Sequence, residues 1–126
     1  MRTIIAGTRN LPVSLEDIAT AVKESGFAID RVLSGDGGNV DRMGALWAER
    51  AGLPVDHYPA NWAEHGRSAG PRRNKEMARN ADALILLWDG KSPGSKSVLE
   101  FATCYSLHVY EKFYRLISMT GGKLYF

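Results

Sequence analysis

The chemistry-bearing residues of this chain of 126 residues are arginines set beside glycines. Between residues 59 and 77, Arg67, Arg72 and Arg73 stand among His65, Gly66, Gly70, Pro59 and Pro71, ahead of a helical pattern that begins near Arg73. Fixed cationic forks at the mouth of a helix point to an anion, most simply a phosphate. The plain alternative is a solvated basic loop, and the glycines and prolines that fix the backbone there argue against it. Arg9 follows Gly7-Thr8 after an apolar run in the same manner. Arg9 and Arg73 are the strongest phosphate ligands because a guanidinium is always charged and binds in a bidentate way; Arg72 reads as an exposed neighbour.

Three further groups join them. Ser34-Gly35-Asp36-Gly37-Gly38-Asn39 runs into a helical pattern, so its amides can approach a ligand closely, unless the glycines serve only the turn. The spacing is not the dinucleotide-binding fingerprint, and no phosphate loop ending in Gly-Lys-Ser/Thr exists. Asp41, at the start of that helix, either accepts from ribose hydroxyls or simply complements the helix dipole. Asp89-Gly90-Lys91-Ser92-Pro93-Gly94-Ser95 supplies two hydroxyls that are donors to a ligand or helix caps. Glu100 offers a general acid or base, with a helix-surface acid as the simpler reading. His57, His65 and His108 lack metal-site spacing. Trp62 and Trp88 read first as packing residues, although Trp88 ends a strand where a base could stack.

Short β-type runs alternate with helical periods, the pattern of a parallel sheet with helices on both faces. Thr3 to Ala6 is the first strand; a helix follows from Ser14, with acids in its first turn and Gly26 at its end. Strands over residues 30–34 and 54–58 flank a helix near Val40–Ala51. Ala83 to Trp88 is continuously apolar, as a strand buried on both faces requires. A helix from the Ser92 loop to about Tyr110 and a strand near Tyr114 to Met119 complete a five-stranded, doubly wound, Rossmann-like α/β domain spanning residues 1–126. Four loops then leave strands at one edge: Gly7 to Arg9, Ser34 to Asn39, Pro59 to Arg73, and Asp89 to Ser95. Ligands of open parallel sheets bind at that edge.

Composition narrows the class. With 16 basic and 14 acidic residues the net charge is +2, too little for a broad nucleic-acid footprint. The single Cys104 allows no internal disulfide. The opening apolar run is too short for a signal peptide, and no run approaches the ~20 apolar residues of a membrane span. A cytoplasmic setting, no membrane and no resident metal are expected.

These residues resemble the SLOG superfamily, in particular its small single-domain branch related to the YspA and YpsA proteins. The resemblance spans nearly the whole chain. It is carried by Gly7-Thr8-Arg9, Ser34-Gly35 with Asp41-Arg42-Met43, Trp47-Ala48, Pro59-Ala60-Asn61-Trp62, and His65-Gly66-Arg67. It continues through Ala69-Gly70-Pro71, Arg73-Asn74-Lys75-Glu76-Met77, Ala81-Asp82-Ala83, Trp88-Asp89-Gly90 and Ser92-Pro93-Gly94-Ser95. It implies a Rossmann-like domain for nucleotides or nucleotide-derived molecules. Similar proteins include the Lonely Guy phosphoribohydrolases, the DNA-processing protein that binds single strands, and sensors of cyclic ADP-ribose-type signals.

The hydrolases carry Pro-Gly-Gly-x-Gly-Thr-x-x-Glu. Setting Gly94-Ser95 on the Gly-Thr pair places Val98 at the catalytic glutamate, and Glu100 lies roughly 200° further round the helix. Their arginine is matched by Arg73 ahead of Met77. Asn39 stands where the branch has glycine, and asparagine tolerates left-handed backbone. The expectation is therefore binding or sensing of a nucleoside phosphate or ADP-ribose-type ligand through Gly7, Thr8, Arg9, Ser34, Gly35, Gly37, Gly38, Asp41, Arg73, Asn74, Asp89, Gly90, Ser92, Gly94 and Ser95. Hydrolysis of an N-glycosidic bond, with Arg73, Asp41 or Glu100 as weak catalytic candidates, is the second reading, and a DNA-associated module the third. Leu99, Phe101, Tyr105, Leu107 and Tyr110, read as one apolar helix, suggest a homodimer.

Overall fold

Ile4, Ile5, Leu84, Ile85, Leu86 and Leu87 are fully buried, as strands covered on both faces must be. In the computed structural model, which describes residues 1–119 and 122–125, they lie in β1 (Arg2–Gly7) and β4 (Ala83–Trp88). These two central strands pair in parallel from Thr3 opposite Ala83 to Gly7 opposite Leu87. β2 (Arg31–Ser34) and β3 (Val55–His57) extend the sheet on one side, and β5 (His108–Phe113) on the other. The order is β3-β2-β1-β4-β5, with every neighbour parallel.

Alternation of side chains along the strands splits the core in two. Ile4, Ala6, Leu33, Leu84, Leu86 and Trp88 pack with Met77, Ala78, Val98 and Ala102, which come from α4 (Ala69–Arg79) and α5 (Pro93–Cys104). Ile5, Val32, Ile85 and Leu87 pack with Ile18, Ala21, Val40 and Ala48 from α1 (Leu15–Ser25) and α2 (Asn39–Arg50). The Rossmann-like architecture read from the sequence is the one observed.

Local signals set the first helix. Ser14 Oγ accepts from the Asp17 amide at 3.2 Å while Asp17 accepts from the Ser14 amide at 2.8 Å, closing a capping box. Gly26 ends it at φ 71°. On the far side of the sheet the sequence expectation needs two corrections. The basic segment is not one loop: it holds the short α3 (Trp62–His65), a 3₁₀ turn at Gly66–Ser68 and the first turn of α4. Pro71 fits there because a first-turn residue needs no intrahelical N–H donor, so Arg73 sits a turn inside the helix and not at its mouth.

The second correction concerns the last elements. Helix α5 stops at Cys104, and Ser106 takes φ 58° in the turn that follows. Tyr110 therefore belongs to β5, and Tyr105, Leu107 and Tyr110 form no helical face with Leu99 and Phe101. The strand expected near Tyr114 to Met119 as the last of the sheet is Leu116–Met119, which pairs antiparallel with Gly122–Tyr125 instead. Among the described residues no helix is long and apolar enough to cross a membrane.

Candidate functional site

The chain steps outward from β1 to β2 and β3, then returns past β1 to β4. Strand order thus reverses between β1 and β4, which is where open α/β sheets form their crevice. A cleft of about 760 Å³ opens there, at the C-terminal ends of the two strands. Its lining joins polar groups at Thr8, Arg9, Ser92 and Ser95 to apolar surface from Ala6, Met77, Val98, Pro71 and Trp62. Its volume suits a ligand of nucleotide size.

Thr8 ties the two central loops together. Its hydroxyl lies 2.8 Å from Ser92 Oγ and accepts from the Asp89 amide at 3.1 Å. Asp89 Oδ1 in turn accepts from the Lys91 amide, the Ser92 amide and Ser92 Oγ at 2.9, 2.8 and 2.7 Å. Burial alone would raise the Asp89 pKa, but these donors outweigh it and hold the carboxyl below its ordinary range. Close approach of the strands requires Gly7, where a Cβ would meet the Leu87 carbonyl oxygen at 2.0 Å.

The same network leaves Ser92 busy and α5 without a side-chain cap. First-turn amides of a helix have no intrahelical partner, and Gly94 and Ser95, in that first turn, border the cleft. Ser95 is 4% exposed. Its hydroxyl is the one buried side-chain polar atom without a hydrogen-bond partner among the described residues. A buried hydroxyl left unpaired costs free energy, and Ser95 is among the residues that line the cleft.

The second loop is fastened to the first by Asn39, whose amide donates to the Arg9 carbonyl at 2.9 Å and whose side chain donates to the Leu11 carbonyl at 2.8 Å. A Cβ on Gly38 would meet the Arg9 backbone at 2.8 Å. The Gly37 amide donates to Asp41 Oδ2 at 2.8 Å. Desolvation raises the Asp41 pKa; the Gly37 amide and Arg73 pull against it, and Asp36 adds to it. Asp41 is thus a buried cleft carboxyl whose pKa lies above its ordinary value.

Arg73 reaches under this loop. Nη1 donates to the carbonyls of Gly35 and Tyr58, and Nε donates to Asn74 Oδ1 at 2.9 Å. Burial lowers its pKa, while Asp41 and Asp36 oppose that change and Arg9 reinforces it. Nη2 carries no hydrogen bond among the described residues, and Arg73 borders the cleft. Asn74 Nδ2 donates to the Gly94 carbonyl and to Ser97 Oγ, each at 3.3 Å. Asn74 thereby links the arginine to the start of α5.

Of the residues expected from sequence, Gly7, Thr8, Arg9, Gly37, Gly38, Asp41, Arg73, Asn74, Asp89, Ser92, Gly94 and Ser95 border this one cleft. Ser34, Gly35 and Gly90 do not. The Ser34 hydroxyl is spent on Asp36 and the Asp41 carbonyl, Gly35 makes room for Arg73, and Gly90 supplies a turn at φ 79°. Glu100 is exposed and lines a separate surface hollow with Trp88 and Cys104, away from any catalytic position in the cleft. Trp88 is 5% exposed, donates to Glu111 at 3.1 Å and packs on Phe113, and it is not among the residues that line the cleft. Trp62, Arg67, Lys91 and Val98 line the cleft beyond those expected. Val98 was detectable as the residue one turn after Gly94. No cluster of His, Cys, Asp and Glu among the described residues could hold a metal.

Among solved structures the chain is similar to DNA processing protein A from Streptococcus pneumoniae. The TM-score is 0.65 at 14% identity, over 88% of this chain and 50% of that one. This chain therefore spans half the length of that protein, and the likeness establishes the shared fold alone. No family model matches the sequence, and no curated protein matches it.

Proposed function

We propose that this chain binds or senses a nucleotide-derived ligand, a nucleoside phosphate or ADP-ribose-type molecule, in the cleft between β1 and β4. The observation that carries the reading is the unpaired, buried Ser95 hydroxyl at the uncapped start of α5. An anionic oxygen placed there satisfies the hydroxyl, the first-turn amides and the helix dipole together. Arg9 and Arg73 Nη2, which carries no hydrogen bond among the described residues, add charge, Asp41 offers an oxygen to a ribose hydroxyl, and the apolar part of the lining takes a base.

The test is thermal stabilisation by nucleoside monophosphates, ADP-ribose, NAD and cyclic ADP-ribose variants, with each hit checked by mass for cleavage. Ligand at 100 times its dissociation constant adds about 2.7 kcal/mol. An intact hit supports binding or sensing; no stabilisation by any member of the panel overturns the reading.

Two other readings have an observation each. The raised pKa of Asp41 suits a general acid, and release of base and ribose 5-phosphate from a monophosphate would make the protein a phosphoribohydrolase. Val98 at the position of the hydrolases' glutamate weighs against it. The likeness to the DNA processing protein supports a DNA-associated module, for which a salt-dependent single-strand affinity is the required result.

A further inference from the structure

We infer that Trp62 is the stacking platform for the planar base of the ligand. This deepens the nucleotide reading and rests on it. Trp62 is 53% exposed, one of four large apolar side chains left in solvent among the described residues, and it borders the cleft. Its position is selected by Gly70: a Cβ there would meet Trp62 Cη2 at 3.2 Å. The indole edge therefore rests on bare backbone at the start of α4, while more than half of the residue stays in solvent.

The segment bearing Trp62 is held by its own short-range contacts. Asn61 Oδ1 accepts from the Glu64 amide at 3.1 Å, Asn61 Nδ2 donates to Glu64 Oε2 at 3.0 Å, and Ser68 Oγ donates to the His65 carbonyl at 2.8 Å. Neither α3 nor the following 3₁₀ turn has a buried residue, and Gly66 between them takes φ 55°, ψ −132°. Few buried contacts mean a low cost of local displacement. An indole on such a segment loses exposed apolar surface when a flat ring covers it, and any base has a π-face to offer. Met77 and Val98 add apolar surface to the lining of the same cleft. With the phosphate end held at the start of α5, Trp62 sets how far the ring reaches and whether a ring is required.

The experiment titrates AMP and ribose 5-phosphate into the wild-type protein, Trp62→Ala and Trp62→Phe, by calorimetry and tryptophan fluorescence. Expected are quenching of wild-type fluorescence by AMP and not by ribose 5-phosphate, and a loss of AMP affinity in Trp62→Ala of about tenfold. Ribose 5-phosphate affinity is unchanged in that variant, and Trp62→Phe restores most of the AMP affinity. Equal AMP affinity in wild type and Trp62→Ala overturns the platform and leaves the nucleotide reading intact. Parallel losses for AMP and ribose 5-phosphate also overturn it, because they mark a structural role. Failure of both ligands to bind wild type removes the nucleotide reading, and the platform with it.

Discussion

The Thr8 hydroxyl lies 2.8 Å from the Ser92 hydroxyl, joining the loops that leave the two central strands. The bond crosses the point at which strand order reverses. Because Thr8 also takes the Asp89 amide and Ser92 also feeds the Asp89 carboxylate, one hydroxyl pair sets the shape of the cleft floor.

Thr8→Val keeps the shape of this buried side chain and removes its polar atom. The Asp89 amide then loses its acceptor, at a cost of about 1–3 kcal/mol. Chemical denaturation is expected to show that loss. A variant as stable as wild type would mean that water or a neighbour replaces the bond.

Ser95→Ala separates stability from function. Removing an unpaired buried hydroxyl stabilises the ligand-free protein by about 1 kcal/mol, while phosphate-bearing ligands lose about tenfold in affinity. Denaturation and calorimetry together check this. Stability and affinity falling in parallel would show that the hydroxyl has a protein partner.

Arg9 and Arg73 differ in kind. Arg9→Ala is expected to weaken ligand binding with little effect on the fold, since Arg9 is exposed. Arg73→Ala weakens binding by about tenfold to a hundredfold and also destabilises, because the Gly35 and Tyr58 carbonyls lose their donor. If the folded Arg73→Ala protein keeps wild-type affinity, Arg73 has no place at the ligand.

The two cleft carboxyls respond to pH in opposite senses. Asp41 has its folded pKa raised by burial, so the folded state binds its proton more tightly than the unfolded state does. Its contribution is most favourable below the ordinary carboxylate range and declines as pH rises through the raised value. Asp89 has its folded pKa lowered, its hydrogen bonds outweighing burial. Its contribution is present above the ordinary range and is lost as pH falls through the depressed value. Stability curves of Asp41→Asn and Asp89→Asn against pH are expected to differ from wild type in opposite directions: the first gains relative stability toward neutral pH, the second loses it. The same direction in both would contradict the assigned environments.

What could be read without coordinates was whatever neighbours in sequence settle among themselves. The apolar run at Ala83 to Trp88 can satisfy its side chains only as a strand covered on both faces, and Ser14, Asp17 and Gly26 carry the ends of their helix in their own chemistry. Glycines and arginines at strand ends likewise placed most of the cleft, since parallel topology delivers those loops to one edge. The end of α5 was not legible: Tyr105, Ser106 and Leu107 contain no glycine or proline, and Ser106 adopts its left-handed φ of 58° in the turn that leads to Leu107 and on to β5 beside β4. Long-range contacts decided the rest. Arg73 spends most of its donors on Gly35, Tyr58 and Asn74, Glu100 turns to the outer surface, Trp88 sinks into the core, and Trp62 remains in solvent at the cleft. Whether Ser95 finds a partner depends on atoms from distant loops packed around it, and spacing along the chain carries no record of that packing.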